Sequence, residues 1–211
     1  MANEERAGFY KSIKFMYGGK FTQDQVDGME ALLDCTEELS IRHRAYILAT
    51  VFHETAKTME PIEEYGKGKG KAYGKPAGPY KKIYYGRGYP QLTWYDNYVK
   101  AKEITGVDLV KYPELALKKD ISAEILVSGM TTGWFTGKKL SNYKTYYSMR
   151  KTVNGLDDAK LIAGYAENFE VALKAITIPT KEKPLVSVDE TQTKDSFWSY
   201  LVKLLYNWSK P

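Results

Sequence analysis

The feature that most constrains this chain is the apolar run Ala45–Phe52, AYILATVF, which ends on His53-Glu54. At about 100° per residue, Ala45, Leu48, Ala49 and Phe52 share one face of a helix. Ser40 stands where the N-cap of that helix belongs. A helix of this kind packs into a core and delivers Glu54 to the core's margin. A carboxyl group there resists ionisation, because a low dielectric disfavours its charged form. The chain then supplies Glu60, Glu63 and Glu64 in a wetter stretch. Two carboxyl groups in environments that push their pKa values apart are the pair needed to hydrolyse a glycosidic bond. An acidic cluster without further context is more often solvated surface.

The rest of the chain reads as a series of helices. Glu4–Met16 has Phe9, Ile13 and Met16 at helical spacing. Thr22 and Gln25 form a capping box that opens a helix through Glu38, with Val26, Met29 and Leu33 facing inward. Glu60–Pro79 is irregular, and its Gly/Lys-rich part, residues 66–71, reads as a mobile surface loop. It fits neither phosphate-loop template. Tyr84–Thr93 is a turn with a short extended segment, leaving room for a small β-like edge. Thr93 is placed to cap a helix through Ile104. Pro113 opens a short helix, and Asp120 caps one through Phe135 that is apolar nearly all round, as the central helix of a lysozyme-like fold would be. Tyr143–Val153 is a weaker helix. Asp157 or Asp158 caps a clear one bearing Ile162, Ala166, Phe169, Leu173 and Ile176.

Three parts follow from this pattern: a helical domain over residues 1–176, a polar linker over 177–194, and an apolar or amphipathic C-terminal helix over 195–211. In that last part, Ser196–Trp208 leaves only Ser199, Lys203 and Asn207 as a narrow polar strip. The segment is too short to span a bilayer. Its aromatic ends and neighbouring lysines suit an anionic membrane or envelope surface, and docking back on the domain suits it equally.

Composition narrows the classes. The 211 residues are 43% hydrophobic and 27% charged, which is globular rather than disordered. The net charge of +5 suits an anionic polymer without choosing one. Cys35 is the single cysteine, so the fold does not rest on an intrachain disulfide. Lys57 stands where a zinc H-E-x-x-H helix would need its second histidine, and only His43 remains elsewhere; no metal or cofactor is expected. The basic residues are not grouped with a nucleic-acid motif, so nucleic acid is not an expected partner.

At two segments the sequence resembles the family 19 glycoside hydrolases, which include plant-type chitinases and many phage endolysins. His53-Glu54-Thr55 matches the family's H-E-[TS] at a helix end. Tyr85–Tyr98 matches Y-G-R-G-x-x-Q-[LI]-[ST]-x-x-x-N-Y in order. Gly106–Leu109 resembles its G-V-D-L, Pro113–Leu115 its P-x-L, and Val153-Asn154-Gly155 its [IV]-N-G. The resemblance runs from about Ile41 to Leu173. It implies a mainly α, lysozyme-like helical domain with a catalytic cleft and an inverting mechanism.

It also implies roles. Glu54 is the general acid. Glu60, Glu63 and Glu64 compete for the general base. Glu64 is preferred, because similar sequences of the form H-E-T-x-x-T-M-x-P-[IV]-x-E place the acid there. Glu63 comes second, and Glu60 reads as solvated. Thr93 resembles the residue that orients the attacking water. Gln91, Asn97 and Asn154 resemble sugar-binding amides, with Tyr85 and Arg87 beside them and Arg87 tying loops together. The family often has an arginine after its Asn-Gly segment; here only Lys160 follows. His53 reads as a hydrogen-bonded neighbour of the acid. The expected substrate is the glycan of peptidoglycan, cut by an endolysin-like, monomeric enzyme. It would be made in the cytoplasm without a signal peptide and would act on the cell wall after release. Chitin is the alternative polymer, and a non-catalytic wall-binding protein is the alternative of another class.

Overall fold

A computed structural model of the chain describes residues 6–177. The expectations for residues 178–211, and for the first five, lie outside the described residues. Seven α-helices are described: α1 (Ala7–Ile13), α2 (Gln23–Cys35), α3 (Ile41–Glu54), α4 (Tyr95–Thr105), α5 (Lys119–Thr132), α6 (Tyr146–Met149) and α7 (Ala159–Thr177). Short 3-10 turns follow α1 and α6 and precede α5. The mainly α, lysozyme-like class expected from the sequence is the class observed. The β-like edge is reduced to isolated antiparallel bridges, Glu63 with Arg87 and Arg87 with Leu92 among them.

The helix starts follow local chemistry. The Thr22–Gln25 capping box is present in both directions, and Ser40 accepts from the His43 amide at 3.3 Å. Several ends differ from expectation. α2 stops at Cys35, where buried Thr36 turns its hydroxyl back onto the Leu32 carbonyl at 2.6 Å. α5 stops at Thr132, because Gly133 adopts φ +82°. Phe135 then folds back onto Gly129, where a Cβ would lie 2.0 Å from its ring. Asp120 sits in the first turn of α5, and Lys118 holds the cap position.

Two apolar clusters share α5. The larger joins α1, α2, α3, α6 and α7 to Ala123, Leu126 and Met130 of α5. The smaller gathers Tyr84, Leu92, Tyr98, Ala101, Leu109, Val110 and Ala116 around Ile121 and Ile125. The enclosed helix is α3 rather than α5: every residue from Ala45 to Phe52 is buried, while Glu124 of α5 is exposed. Thr50 tolerates this burial by donating to the Tyr46 carbonyl at 2.9 Å. The most extensive helix contact is α3 against α7. The acid-bearing end of α3 therefore leaves the larger cluster, and the Tyr84–Thr93 segment leans on the smaller one.

Candidate active site

Glu54 is the last residue of α3, and the turn after it is unusually constrained. Ala56, Lys57 and Met59 all have positive φ, at 49°, 71° and 58°. Each such non-glycine residue costs about 1–2 kcal/mol. Thr55 holds the turn from within: its hydroxyl donates to the Val51 carbonyl at 2.7 Å and accepts from the Met59 amide at 3.0 Å. Gln25 donates to the Lys57 carbonyl at 3.0 Å, and the Tyr89 hydroxyl to that of Met59 at 2.8 Å. Gly28 supplies the space, since a Cβ there would lie 2.0 Å from the Met59 oxygen. The threonine of H-E-T thus has a mechanical task.

The Glu54 carboxylate faces a guanidinium rather than the apolar margin expected of it. Arg150, in the 3-10 turn after α6, donates from Nη1 to Glu54 Oε1 at 2.6 Å and from Nε to the Asp157 carbonyl at 3.0 Å. Its side chain is 4% exposed and that of Glu54 32%. Sequence reasoning missed Arg150, having looked for an arginine after Asn154-Gly155 rather than before it. His53 Nε2 lies 3.4 Å from Asp158 Oδ2. Asp158 is at the start of α7, where its carbonyl accepts from the Ile162 amide at 2.9 Å.

The competing carboxylates fall on opposite faces of an extended segment. Glu63 bridges Arg87, and the Glu64 amide donates to the Gly86 carbonyl at 2.7 Å. Adjacent residues of extended chain alternate in direction. Glu63 Oε1 accepts from the Tyr85 hydroxyl at 2.7 Å, and Lys67 Nζ lies 2.9 Å from Oε2. Hydrogen bonds from Lys67 and then Tyr85 hold its carboxyl below the ordinary value. Glu64 accepts from the Tyr73 hydroxyl at 2.9 Å and from the Gly86 amide at 3.1 Å. Residues 66–71 are wound into successive turns rather than open loop, because Gly68 and Gly74 approach too closely for a side chain at either.

Three polar side chains gather over bare Gly86. A Cβ there would lie 2.8 Å from Gln91 Oε1, 3.3 Å from Glu64 Cβ and 3.5 Å from Thr93 Oγ1. Thr93 does not cap α4. Trp94 takes that place with φ 76°, and the Thr93 hydroxyl donates to the Gln91 carbonyl at 2.7 Å, keeping its lone pairs for an incoming donor. The Gln91 amide is directed to the backbone, donating to the Ile62 and Gly88 carbonyls at 2.9 and 3.0 Å. Its remaining capacity is as an acceptor, not the two-way contact expected of a sugar-binding amide. Asn97 donates to the Thr93 carbonyl at 2.7 Å.

Gln91, Thr93 and Asn97 line a cavity of about 150 Å³ with Phe135 and Val153. Asn154, next to Val153, is exposed and accepts from the Gly155 amide at 2.8 Å, a bond within its own loop. Tyr85 and Arg87, expected beside the sugar-binding amides with Arg87 tying loops together, are buried and engage Glu63. Arg87 places Cζ 3.5 Å from the Tyr85 ring centre and donates to the Tyr98 hydroxyl at 2.9 Å. Burial raises Tyr98 to about 12, so it stays a neutral phenol against that guanidinium. Glu60 does not join either carboxylate cluster; its amide donates to the Thr58 hydroxyl at 3.3 Å.

No family model matches the chain, and no curated protein matches it in sequence. Solved structures do match its fold. Chitinase C from Streptomyces griseus is similar with a TM-score of 0.54 at 20% identity, over 81% of this chain and 75% of that one. A single-residue mutant of chitinase C gives the same values. A bacterial family 19 chitinase has a TM-score of 0.50 at 20% identity, over 84% of this chain and 97% of that one. The chain therefore has the helical fold of the family 19 chitinases.

Proposed function

We propose that this protein is an inverting glycoside hydrolase of the endolysin type, which cleaves the β-1,4 bonds of peptidoglycan glycan strands. Glu54 protonates the glycosidic oxygen as the bond to the anomeric carbon breaks. Glu64 takes a proton from a water whose oxygen attacks that carbon from the opposite face, and Thr93 accepts from the same water. The observation that carries the reading is the gathering of Glu64, Thr93 and Gln91 over Gly86, on the lobe that the turn after Glu54 leads into. Glu63 is the weaker choice for the base, because the Lys67 ammonium, with Tyr85, holds its carboxyl below the ordinary value, whereas the donors on Glu64 are the neutral Tyr73 hydroxyl and Gly86 amide. The motif resemblance and the shared fold support the reaction class. The absence of any cysteine pair favours peptidoglycan over chitin.

A second reading is chitin hydrolysis, favoured by the fold neighbours, which are chitinases. Chitin and peptidoglycan share N-acetylglucosamine, so the same site chemistry serves both. The test is product analysis on purified peptidoglycan and on chitin oligomers, with Glu54→Gln, Glu64→Gln and Glu63→Gln in parallel. Glu54→Gln and Glu64→Gln should abolish cleavage in folded protein, because an amide keeps the shape but neither gives nor takes the proton. A severe loss confined to Glu63→Gln would move the base to Glu63. Absence of cleavage of either polymer by the wild type, with retained binding to wall, would favour a non-catalytic wall-binding protein.

A further inference from the structure

Beside the acid lies a second recess that the reaction just described does not use. It is an open groove of about 850 Å³ on α7 and the loop before it, within the size range of ligand sites. Tyr147, Leu156, Leu161 and Tyr165 give it apolar walls, and Asp158 and Lys160 give it one carboxylate and one ammonium group. Tyr147, Leu156 and Leu161 are each more than 40% exposed, so three large apolar side chains left in water converge on one recess.

The groove is continuous with the candidate active site. Arg150 holds Glu54 with one nitrogen and the Asp157 carbonyl with another, so the loop forming one wall hangs on the residue that grips the acid. Asp158, on the rim, reaches His53, the residue before Glu54. Tyr165 packs edge-on against Phe52 at 4.8 Å between centroids, which fixes the groove to the end of α3. Its polar groups are few: Asp158, Lys160 and the Asn168 amide, whose nitrogen donates to the Gly164 carbonyl at 3.0 Å. The rest of the wall is hydrocarbon and tyrosine ring, with one charge of each sign, which suits a ligand that carries alkyl groups and both charges.

We propose that this groove takes the stem peptide of the peptidoglycan strand beside the bond that Glu54 protonates. The inference rests on the peptidoglycan reading above. Every second sugar of that polymer carries a short peptide, which combines small alkyl side chains with free carboxylate and amino groups. The alkyl groups meet Leu156 and Leu161, and the peptide's charges meet Lys160 and Asp158. Chitin carries no such branch, so the groove is the part of the molecule that distinguishes the two polymers.

The test uses the full chain, the exposed-residue variants Tyr147→Ala and Leu161→Ser, and two substrates: purified peptidoglycan strands with their stems, and the same strands stripped by an amidase. The wild type should cut stem-bearing strands with a kcat/KM about tenfold higher, the scale of a small apolar contact. Both variants should lose that preference and keep the rate on bare strands. Equal rates on the two substrates, or variants that slow both alike, would overturn the proposal; the latter would make the groove a sugar subsite. Direct titration with the released stem peptide, followed by NMR, separates this from the catalytic reading. Shifts on groove residues that vanish in Tyr147→Ala support the site even if no polymer is cut, and no shifts at millimolar peptide refute it even if peptidoglycan is cut.

Discussion

Replacing Gly86 by alanine isolates the geometry on which the site depends. Gly86 has no positive φ, so alanine meets no backbone penalty there, and the substitution gains about 0.4–1 kcal/mol from the unfolded state. The cost lies in the new methyl. Gln91 Oε1 must recede from 2.8 Å to ordinary contact at 3.4 Å or more, and Glu64 Cβ must yield from 3.3 Å. Gln91 is held by two hydrogen bonds to the backbone, each worth about 0.5–1.5 kcal/mol, so loosening both costs about 1–3 kcal/mol. The net loss is about 0–2.6 kcal/mol, a fall in Tm of at most about 10 °C for a domain of this size. Catalysis is far more sensitive, since a misplacement on the order of 1 Å costs about a hundredfold. The expected result is therefore a folded protein with kcat down about a hundredfold, read by release of reducing ends from purified peptidoglycan and by thermal melting. Gly66→Ala is the control, because a Cβ there would meet nothing within 4 Å, and it should be silent in both assays. Wild-type kcat in folded Gly86→Ala would refute the idea that Glu64, Thr93 and Gln91 act together.

Three other outcomes follow from the contacts. Arg150→Met removes an ion pair to Glu54 and a charge-assisted hydrogen bond to the Asp157 carbonyl, and should cost about 2–3 kcal/mol in urea unfolding, toward the low end because Glu54 is a third exposed. Arg150→Lys keeps the charge but not the fork, and should fall between wild type and Arg150→Met. Glu63 is held below its ordinary value chiefly by Lys67, so its contribution to stability is present above the usual carboxylate range and is lost as pH falls through the lowered value. The stability difference between wild type and Lys67→Met should therefore be constant near neutrality and vanish in acid; a difference that persists at pH 2 would assign it to something other than the ion pair. Ending the chain after Ile178 should leave activity on purified peptidoglycan intact while weakening binding to anionic vesicles, and loss of activity would make the tail part of the catalytic unit.

What the sequence disclosed was what depends on neighbours in the chain. The Thr22–Gln25 box, the Ser40 cap and the apolar run of α3 are local, and each is where the residues imply. Arg150 was invisible because its partner is 96 positions away, and no spacing rule links them. Thr93 misled for the opposite reason. A threonine before a helix reads as a cap, but Trp94 adopts a left-handed conformation that moves the helix start beyond the hydroxyl's reach. The cost of that conformation at a large aromatic residue is met at the site itself, where it frees Thr93 to face Gly86.

The choice between Glu63 and Glu64 shows where pattern stops and pairing begins. The two residues are adjacent, so any extended backbone must send them to opposite faces, and a slip of one residue would exchange them. Composition and motif are nearly blind to that slip. The register is set instead by the partner segment: Glu63 lies opposite Arg87, while the Glu64 amide donates to the Gly86 carbonyl and the Gly86 amide to the Glu64 carboxylate. The side of the ladder that carries Arg87 is filled by its buried side chain and by Tyr85, which hold Glu63 in an ion-pair cluster. On the side that carries Gly86, the missing Cβ lets Gln91 and Thr93 close in beside Glu64. The glycine between two larger residues in Tyr85-Gly86-Arg87 therefore decides which carboxylate stands beside Gln91 and Thr93, the arrangement on which the proposed reaction rests, and it does so by having no side chain of its own.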